Sequence, residues 1–353
     1  MDVSVIIPTR GRPEKAAACV EALTRQTLAP ERYEVLVGLD GPDPATVEAV
    51  TRVWNLPDEH LILDVGARAG QATVRNRLLP HARGRSLVFL NDDTIPSPAL
   101  LEIHAREPAL ARERGRPALI VGSAPWKRPV PDRLFDRLIR ETSMVFFYDR
   151  MDTPESLANP MRDWGFRHAW MINLSAPAEL VRGVGGLGVF PCSYGYEDDE
   201  LAYRLQRQHD APVLYRPGAA AAHDHWLTPG EYLAREYKLG YAAHSFARLR
   251  PQCAAALFGR DVGGAEEREY TRLYVPRELP AARRLFESFL QAAALPAGAG
   301  DGLHGALLVR TLYEQHLPVK RWFWRRGLLD AFEEREMHCP RWLESDQPQA
   351  AAA

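Results

Sequence analysis

The sequence predicts an α/β fold: a mixed, mostly parallel sheet flanked by helices, followed by a helical C-terminal extension. Three observations predict it. Strand-like and helix-like stretches alternate over residues 3–90, which calls for a parallel sheet covered on both faces. Several strand-like runs stop abruptly at polar residues, and open sheets of this kind bind ligands beyond the carboxyl ends of their strands. After Thr228-Pro229-Gly230 the strand-like runs cease and long helical patterns replace them.

Taken in order, residues 3–7 form a β-branched run stopped by Pro8, and residues 14–27 have helical composition with Ala18, Ala22 and Leu23 on one face. A second strand at 33–39 ends in Asp40-Gly41-Pro42, and 43–54 reads as a second helix. A strand at 61–65, a helix at 71–81 and a strand at 86–90 complete the alternation. Further on, strands are expected at 118–122, 169–175, 213–215 and 219–222, with a helix at 199–208. Helices are expected at 231–250, 281–293, 303–316 and 321–336. The expected division is a first domain over 1–228, a helical extension over 229–346 and a frayed tail over 347–353.

Composition narrows the function. Hydrophobic residues at 46% and charged residues at 25% are an ordinary globular balance, and a net charge of −2 gives no electrostatic reason for a nucleic-acid partner. The four cysteines, at 19, 192, 253 and 339, have no paired C-x-x-C spacing. They read as reduced thiols and argue against zinc. Met1-Asp2-Val3-Ser4 shows no basic leader or cleavage site, and no window reaches the roughly 18–20 apolar residues of a membrane span. A cytoplasmic protein, at most peripheral to the membrane, is expected.

The chemistry concentrates at the strand ends. The run Ser86-Leu87-Val88-Phe89-Leu90 stops at Asn91-Asp92-Asp93. Carboxylates there are costly to desolvate, and a divalent cation that also grips a diphosphate is a natural partner, although an Asp-rich turn is the simpler alternative. The first strand runs into Thr9-Arg10-Gly11-Arg12-Pro13. Asp40 is either a turn residue or an acceptor for the ring N–H of a base such as uracil. Gly70 precedes a helix that carries Arg75 and Asn76.

The order Val3-Ser4-Val5-Ile6-Ile7-Pro8-Thr9, Asp40-Gly41, Gly70…Arg75-Asn76 and Phe89-Leu90-Asn91-Asp92-Asp93 resembles an inverting, family-2-type glycosyltransferase over roughly residues 3–228. The resemblance implies a GT-A nucleotide-sugar-binding fold. It implies that Thr9 and Arg10 line the base and ribose pocket, with Pro8 and Arg12 on the same nucleotide-binding loop. Asp40 contacts the base, and Arg75, Asn91 and Asp92 lie at the nucleotide. Asp93 is the direct ligand of Mn²⁺ or Mg²⁺. Asn91 departs from the commoner Asp and removes one charge from the metal's surroundings. The donor implied is a nucleotide-diphosphate sugar, with a UDP-sugar mildly preferred because of Asp40. The acceptor is a glycan or another hydroxyl compound.

A second acidic stretch, Glu197-Asp198-Asp199-Glu200, precedes Leu201 and Leu205 at helical spacing. Asp199 and Glu200 fit a helix start, with Glu200 paired to Arg204. Glu197 and Asp198 match the Glu-Asp motif of the resemblance, in which the Asp is the general base. Inverting transfer needs one such carboxylate to take the proton of the attacking hydroxyl, whereas the leaving diphosphate needs only charge neutralisation. His223 is the expected additional metal ligand, with His225 on the same strand face as its competitor. Tyr194, Tyr196 and Trp226 are acceptor-side aromatics, and Trp164 and Trp170 are weaker candidates. The glycines of 183–188 read as a mobile loop near the acceptor. The cluster Arg321-Trp322-Phe323-Trp324-Arg325-Arg326 suits packing, a homo-oligomer contact or a membrane surface. A nucleotidyltransferase and a non-catalytic carbohydrate-binding scaffold are the alternatives. The first is disfavoured by a glycine-poor opening loop, and the second by the intact Asp93, Asp198 and His223.

Overall fold

Strands buried on both faces are mostly apolar, and β1 (Val3–Thr9) is buried at every residue, its hydroxyls Ser4 and Thr9 each satisfied by a carboxylate. It is followed by β2 (Tyr33–Asp40), β3 (Leu61–Gly66), β4 (Ser86–Leu90), β5 (Thr94–Pro96), β6 (Leu119–Gly122), β7 (Asn173–Pro177), β8 (Val213–Arg216) and β9 (Ala221–His223). The computed structural model describes residues 1–340 except 114 and 193. Seven of the strands form one sheet in the order β3-β2-β1-β4-β7-β6-β8, and β5 and β9 form a separate pair. The pairings β1–β2, β1–β4, β2–β3 and β6–β8 are parallel, while β7 runs antiparallel to both β4 and β6. The chain order reverses between β1 and β4, the topological switch point at which such sheets bind ligands.

Helices α1 (Pro13–Leu23), α2 (Pro44–Val53), α3 (Gln71–Leu78) and α4 (Leu100–Glu113) flank these strands. Proline at the first turn starts α1 and α2, where its missing N–H costs nothing. Asp43 caps α2, accepting from the Thr46 amide at 3.1 Å, and its other oxygen accepts from Gly11 N at 2.9 Å. One carboxylate therefore fixes both a helix start and the loop after β1. At the opposite end of the sheet, buried Glu34 accepts from Ser4 Oγ at 2.6 Å, Arg83 N at 2.6 Å and Arg83 Nε at 2.7 Å. That end is closed by structure.

The chain divides into two compact units: residues 1–127, 146–189 and 196–225 form the first, and 128–145, 190–195 and 226–353 group as the second. Segments 128–145 and 190–195, within the span expected for the first domain, thus associate with the helices. The expected tail at 347–353, like all of 341–353, lies outside the described residues.

The second unit departs from the expected helices. Residues 303–316 and 321–336, read as two helices, belong largely to one, Gly302–Phe332, which runs through Pro318. Likewise Ala265–Ala293 continues through Pro276 and Pro280, where a start at 281 was expected. Proline removes one intrahelical hydrogen bond, and here buried faces on either side hold the helix together. Trp322 and Phe323 are buried in this unit, with Trp322 Nε1 donating to Val275 O at 2.9 Å. Within the cluster 321–326, Trp322, Phe323 and Arg325 are thus packed internally, Trp324 and Arg326 are half-buried and Arg321 is exposed. Among the described residues no helix is long and apolar enough to cross a membrane.

Candidate functional site

Thr9, Asp40 and Asn91 end the neighbouring strands β1, β2 and β4 or directly follow them, so their loops meet at one edge of the sheet. Asp92 and Asp93 are both buried beneath that edge. Thr9 Oγ1 donates to Asp92 Oδ2 at 2.7 Å. Arg12 spans the acidic pair: its Nε reaches Asp92 Oδ2 at 3.1 Å, its Nη2 pairs with Asp92 Oδ1, and its Nη1 reaches Asp93 Oδ2 at 2.9 Å. Burial pushes Asp92 up to about 6 against the pull of Arg12. Burial also raises Asp93, but His223, Arg12 and His225 outweigh it and hold its carboxyl at about 2.

The small β5–β9 pair delivers the histidines. Thr94 lies opposite His223, and Asp224 N donates to Asp93 O at 2.7 Å, which locks the two segments together. His223 Nε2 stands 3.6 Å from Asp93 Oδ1, and His225 Nδ1 stands 3.8 Å from Asp93 Oδ2. Both separations are too long for hydrogen bonds. Asp93 Oδ1 and His223 Nδ1 are buried with no hydrogen-bond partner, an arrangement native proteins seldom leave unfilled. The unpartnered Asp93 Oδ1 faces His223 Nε2, not the unpartnered Nδ1 of that ring, and this oxygen–nitrogen pair suits a borderline cation such as Mn²⁺. Among the described residues no three His, Cys, Asp or Glu side chains already enclose one point. Water and diphosphate oxygens would supply the other positions.

Arg75 is 1% exposed yet hydrogen-bonds no carboxylate. It donates to Asn91 Oδ1 at 2.9 Å and to Gln71 Oε1 at 3.3 Å, and its charge acts on Asp198. Its guanidinium is thus fixed on Asn91, in the loop after β4 to which the resemblance assigns the nucleotide. Asp198 accepts from Met171 N at 2.9 Å. Burial raises its carboxyl above the ordinary range, with Arg75 and the Met171 amide opposing. Burial and then Asp198 push Asp199 up to about 8.

Helix Glu197–His209 begins on Tyr196, whose φ of 71° is a left-handed conformation that a tyrosine adopts only at a cost. Its first turn is entirely acidic, which suits the helix dipole. Glu197 is buried there, and Glu200 pairs with Arg204 at 2.7 Å as the spacing predicted. Tyr194 and Trp226 belong to the second unit, where Tyr194 Oη accepts from Arg235 Nε at 2.8 Å.

Other expectations are corrected or refined. Asp40 Oδ1 accepts from Ala69 N at 2.7 Å and Gly70 N at 3.1 Å, so it shapes the loop before α3 as a turn residue would. Arg10 is exposed and makes no hydrogen bond among the described residues. The loop 183–188, expected to be mobile, is tied down. Asn76 donates to Leu187 O at 2.9 Å and accepts from Leu187 N at 2.8 Å, while Arg204 reaches Val184 O and Gly186 O at 2.5 and 2.6 Å. Sequence reading missed the Arg12 bridge and the rings of Trp126 and Phe146 around His223. The run Phe146-Phe147-Tyr148 was the available signal.

Residues 4–149 match the family model described as glycosyl transferase family 2. The chain is 28% identical over 313 residues to validoxylamine A glucosyltransferase of Streptomyces hygroscopicus subsp. limoneus, a match covering 76% of this chain and 62% of that protein. It thus spans less than two thirds of that relative. It is 34% identical over 100 residues to glycosyltransferase AglE of Haloferax volcanii, covering 28% of this chain and 33% of the other. A solved mannosyltransferase, PcManGT from Pyrobaculum calidifontis in complex with GDP-Man and Mn²⁺, superposes with a TM-score of 0.54 at 19% identity, covering 95% of this chain and 88% of that one. The shared fold is the GT-A arrangement expected from the motifs.

Proposed function

We propose, for a chain whose residues 4–149 match the family model for glycosyl transferase family 2, that it moves a sugar from a nucleotide-diphosphate sugar to an acceptor hydroxyl with inversion at the anomeric carbon. The observation that carries this reading is the buried, unsatisfied gap between Asp93 Oδ1 and His223, beside an acidic pair bridged by Arg12. Asp93 and His223, with His225 as the alternative nitrogen, would hold Mn²⁺ or Mg²⁺. When bound, that cation supplies neutralisation of the charge that develops on the leaving diphosphate. A solved neighbour that holds GDP-Man with Mn²⁺ supports this assignment.

Asp198 is the general base. A carboxylate raised by burial keeps enough basicity to take the proton of the attacking hydroxyl near neutral pH. The Met171 amide orients it, and that amide and the charge of Arg75 oppose the rise that burial causes. On the donor side Thr9 orients Asp92, and Arg12 places a cation where the diphosphate arrives. Asp40 Oδ2 carries no hydrogen bond among the described residues, so it can accept the ring N–H of uracil, which favours a UDP-sugar.

A thermal-shift screen of UDP, GDP, dTDP and their sugars, with and without Mn²⁺, tests the reading. A ligand at about 100 times its Kd stabilises the fold by about 2.7 kcal/mol. A metal-dependent shift with one nucleotide is expected and names the donor. No shift with any of them, metal present, rejects the donor assignment.

A further inference from the structure

Two lysines of the first unit have no part in the roles assigned above. Asp224 stands between His223 and His225, and its carboxylate is gripped from two sides. Lys15 Nζ, from the first turn of α1, lies 2.9 Å from Asp224 Oδ2 and donates to Asp224 O at 2.6 Å. Lys127 Nζ, from the loop after β6, lies 3.2 Å from Asp224 Oδ1. Lys127 also donates its backbone N–H to His223 O at 3.0 Å, and Asp224 N donates to Asp93 O at 2.7 Å. Asp224 is therefore held through its carboxylate, its carbonyl and its amide at once. Trp126, next to Lys127, packs its ring 4.1 Å from that of His223.

That grip answers a mechanical need. The pairing of β9 with β5 ends at His223 and does not extend to Asp224 or His225. Yet the rings of His223 and His225 lie stacked, 5.6 Å apart at 22°, each with a nitrogen toward Asp93, at 3.6 and 3.8 Å. In an extended segment a residue and its two neighbours point to opposite faces. Anchoring Asp224 on the lysines thus leaves both imidazoles on the Asp93 side. The lysines do not serve a cation by charge, because an ammonium group repels it and on Coulomb's law alone the site would bind metal better without them. Their benefit is geometric: ligands fixed before the cation arrives lose less freedom on binding it.

We propose that Lys15 and Lys127 are positioning residues of the metal site, clamping Asp224 and so presetting the two imidazoles against Asp93. This inference rests on the reading of Asp93 and His223 as metal ligands and adds the residues that orient them. Arg12, at the same end of α1, reaches Asp93 itself at 2.9 Å, so one helix start holds both sides of the gap.

Mn²⁺ binding isotherms, read by electron paramagnetic resonance of the unbound ion, provide the test. They are recorded on the protein alone and with its preferred nucleotide diphosphate, and thermal melts of metal-free protein check that each variant folds. Lys15→Met is expected to weaken Mn²⁺ about tenfold. It should also reduce the ¹⁴N modulation of the bound ion in spin-echo spectra, the signature of imidazole ligation. Lys127→Met, at an exposed position, is the second variant and should shift both readouts in the same direction.

Unchanged or tighter Mn²⁺ binding in a folded variant, the direction that charge alone dictates, strikes that lysine from the clamp and leaves the metal reading standing. Weaker binding with undiminished ¹⁴N modulation shows that the lysine does not act through the histidines, which also overturns the proposal. No Mn²⁺ binding by the wild type, with or without nucleotide, removes the metal reading and this inference with it.

Discussion

If Asp198 is the base proposed above, Arg75 acts on its proton, and a substitution at each separates their roles. Asp198→Asn is expected to abolish transfer while nucleotide binding persists, because the base is lost and Asp93 is untouched. Transfer at the wild-type rate would reject Asp198 as the base. Arg75 lowers the Asp198 carboxyl against the larger effect of burial. Replacing it with methionine removes that restraint, so the Asp198 carboxyl rises further. Because the ionised form is the active one, the acidic limb of the kcat–pH profile should then move to higher pH. An unmoved limb would show that Arg75 does not act on the base. His223→Ala takes away a nitrogen 3.6 Å from Asp93 and should weaken Mn²⁺ binding, measured by calorimetry, by tenfold or more. Arg12 and Asp93 stood in the sequence as separate motif residues. Their direct contact joins residues 81 apart, a separation that no local pattern encodes.

Helices show where local propensity is overruled. In the second unit, a Cβ on Gly240 of helix Pro229–Leu249 would lie 1.8 Å from Trp324 O, and one on Gly327 would lie 2.0 Å from Tyr237 O. Each glycine lets the backbones of two helices approach more closely than any other residue would allow. Gly240→Ala and Gly327→Ala should each destabilise the unit by about 1–3 kcal/mol, read by urea unfolding. Unchanged midpoints would show that the crossing can relax. Neither glycine stood out in the sequence, where it reads only as a weak helix former. The prolines at 276, 280 and 318 run the opposite way, because their usual effect as helix breakers yields to burial on both sides. The first-domain strands were legible for the converse reason, since β1, β2 and β4 are buried on both faces and show it as continuous apolar runs.

Across the whole molecule, a polar group of α4 buried against β7 ties stability to pH. His104 is buried between Ser175 Oγ at 2.8 Å and Asn173 Oδ1 at 2.9 Å, and burial depresses it to about 4 from an ordinary 6.5. The folded state therefore resists protonation that the unfolded chain accepts. Stability is complete above about pH 6.5 and falls as pH drops toward 4, by about 3 kcal/mol in all. Thermal melts over that range should show the loss, and His104→Gln should flatten it. An identical slope in the variant would assign the loss to other groups. Much was determined by the sequence alone: the alternation that makes a parallel sheet, the strand ends that carry Thr9, Asp40 and Asp93, and an acidic helix start, expected at Asp199 and found two residues earlier at Glu197, because each is a local pattern of burial or capping. Tertiary structure decided that Arg12 bridges the acidic pair, that Arg75 faces Asp198, and that Tyr194 and Trp226 sit in the other unit. Those relations depend on which loops the sheet order brings together, and hydrophobic periodicity specifies the face of an element but not its neighbour.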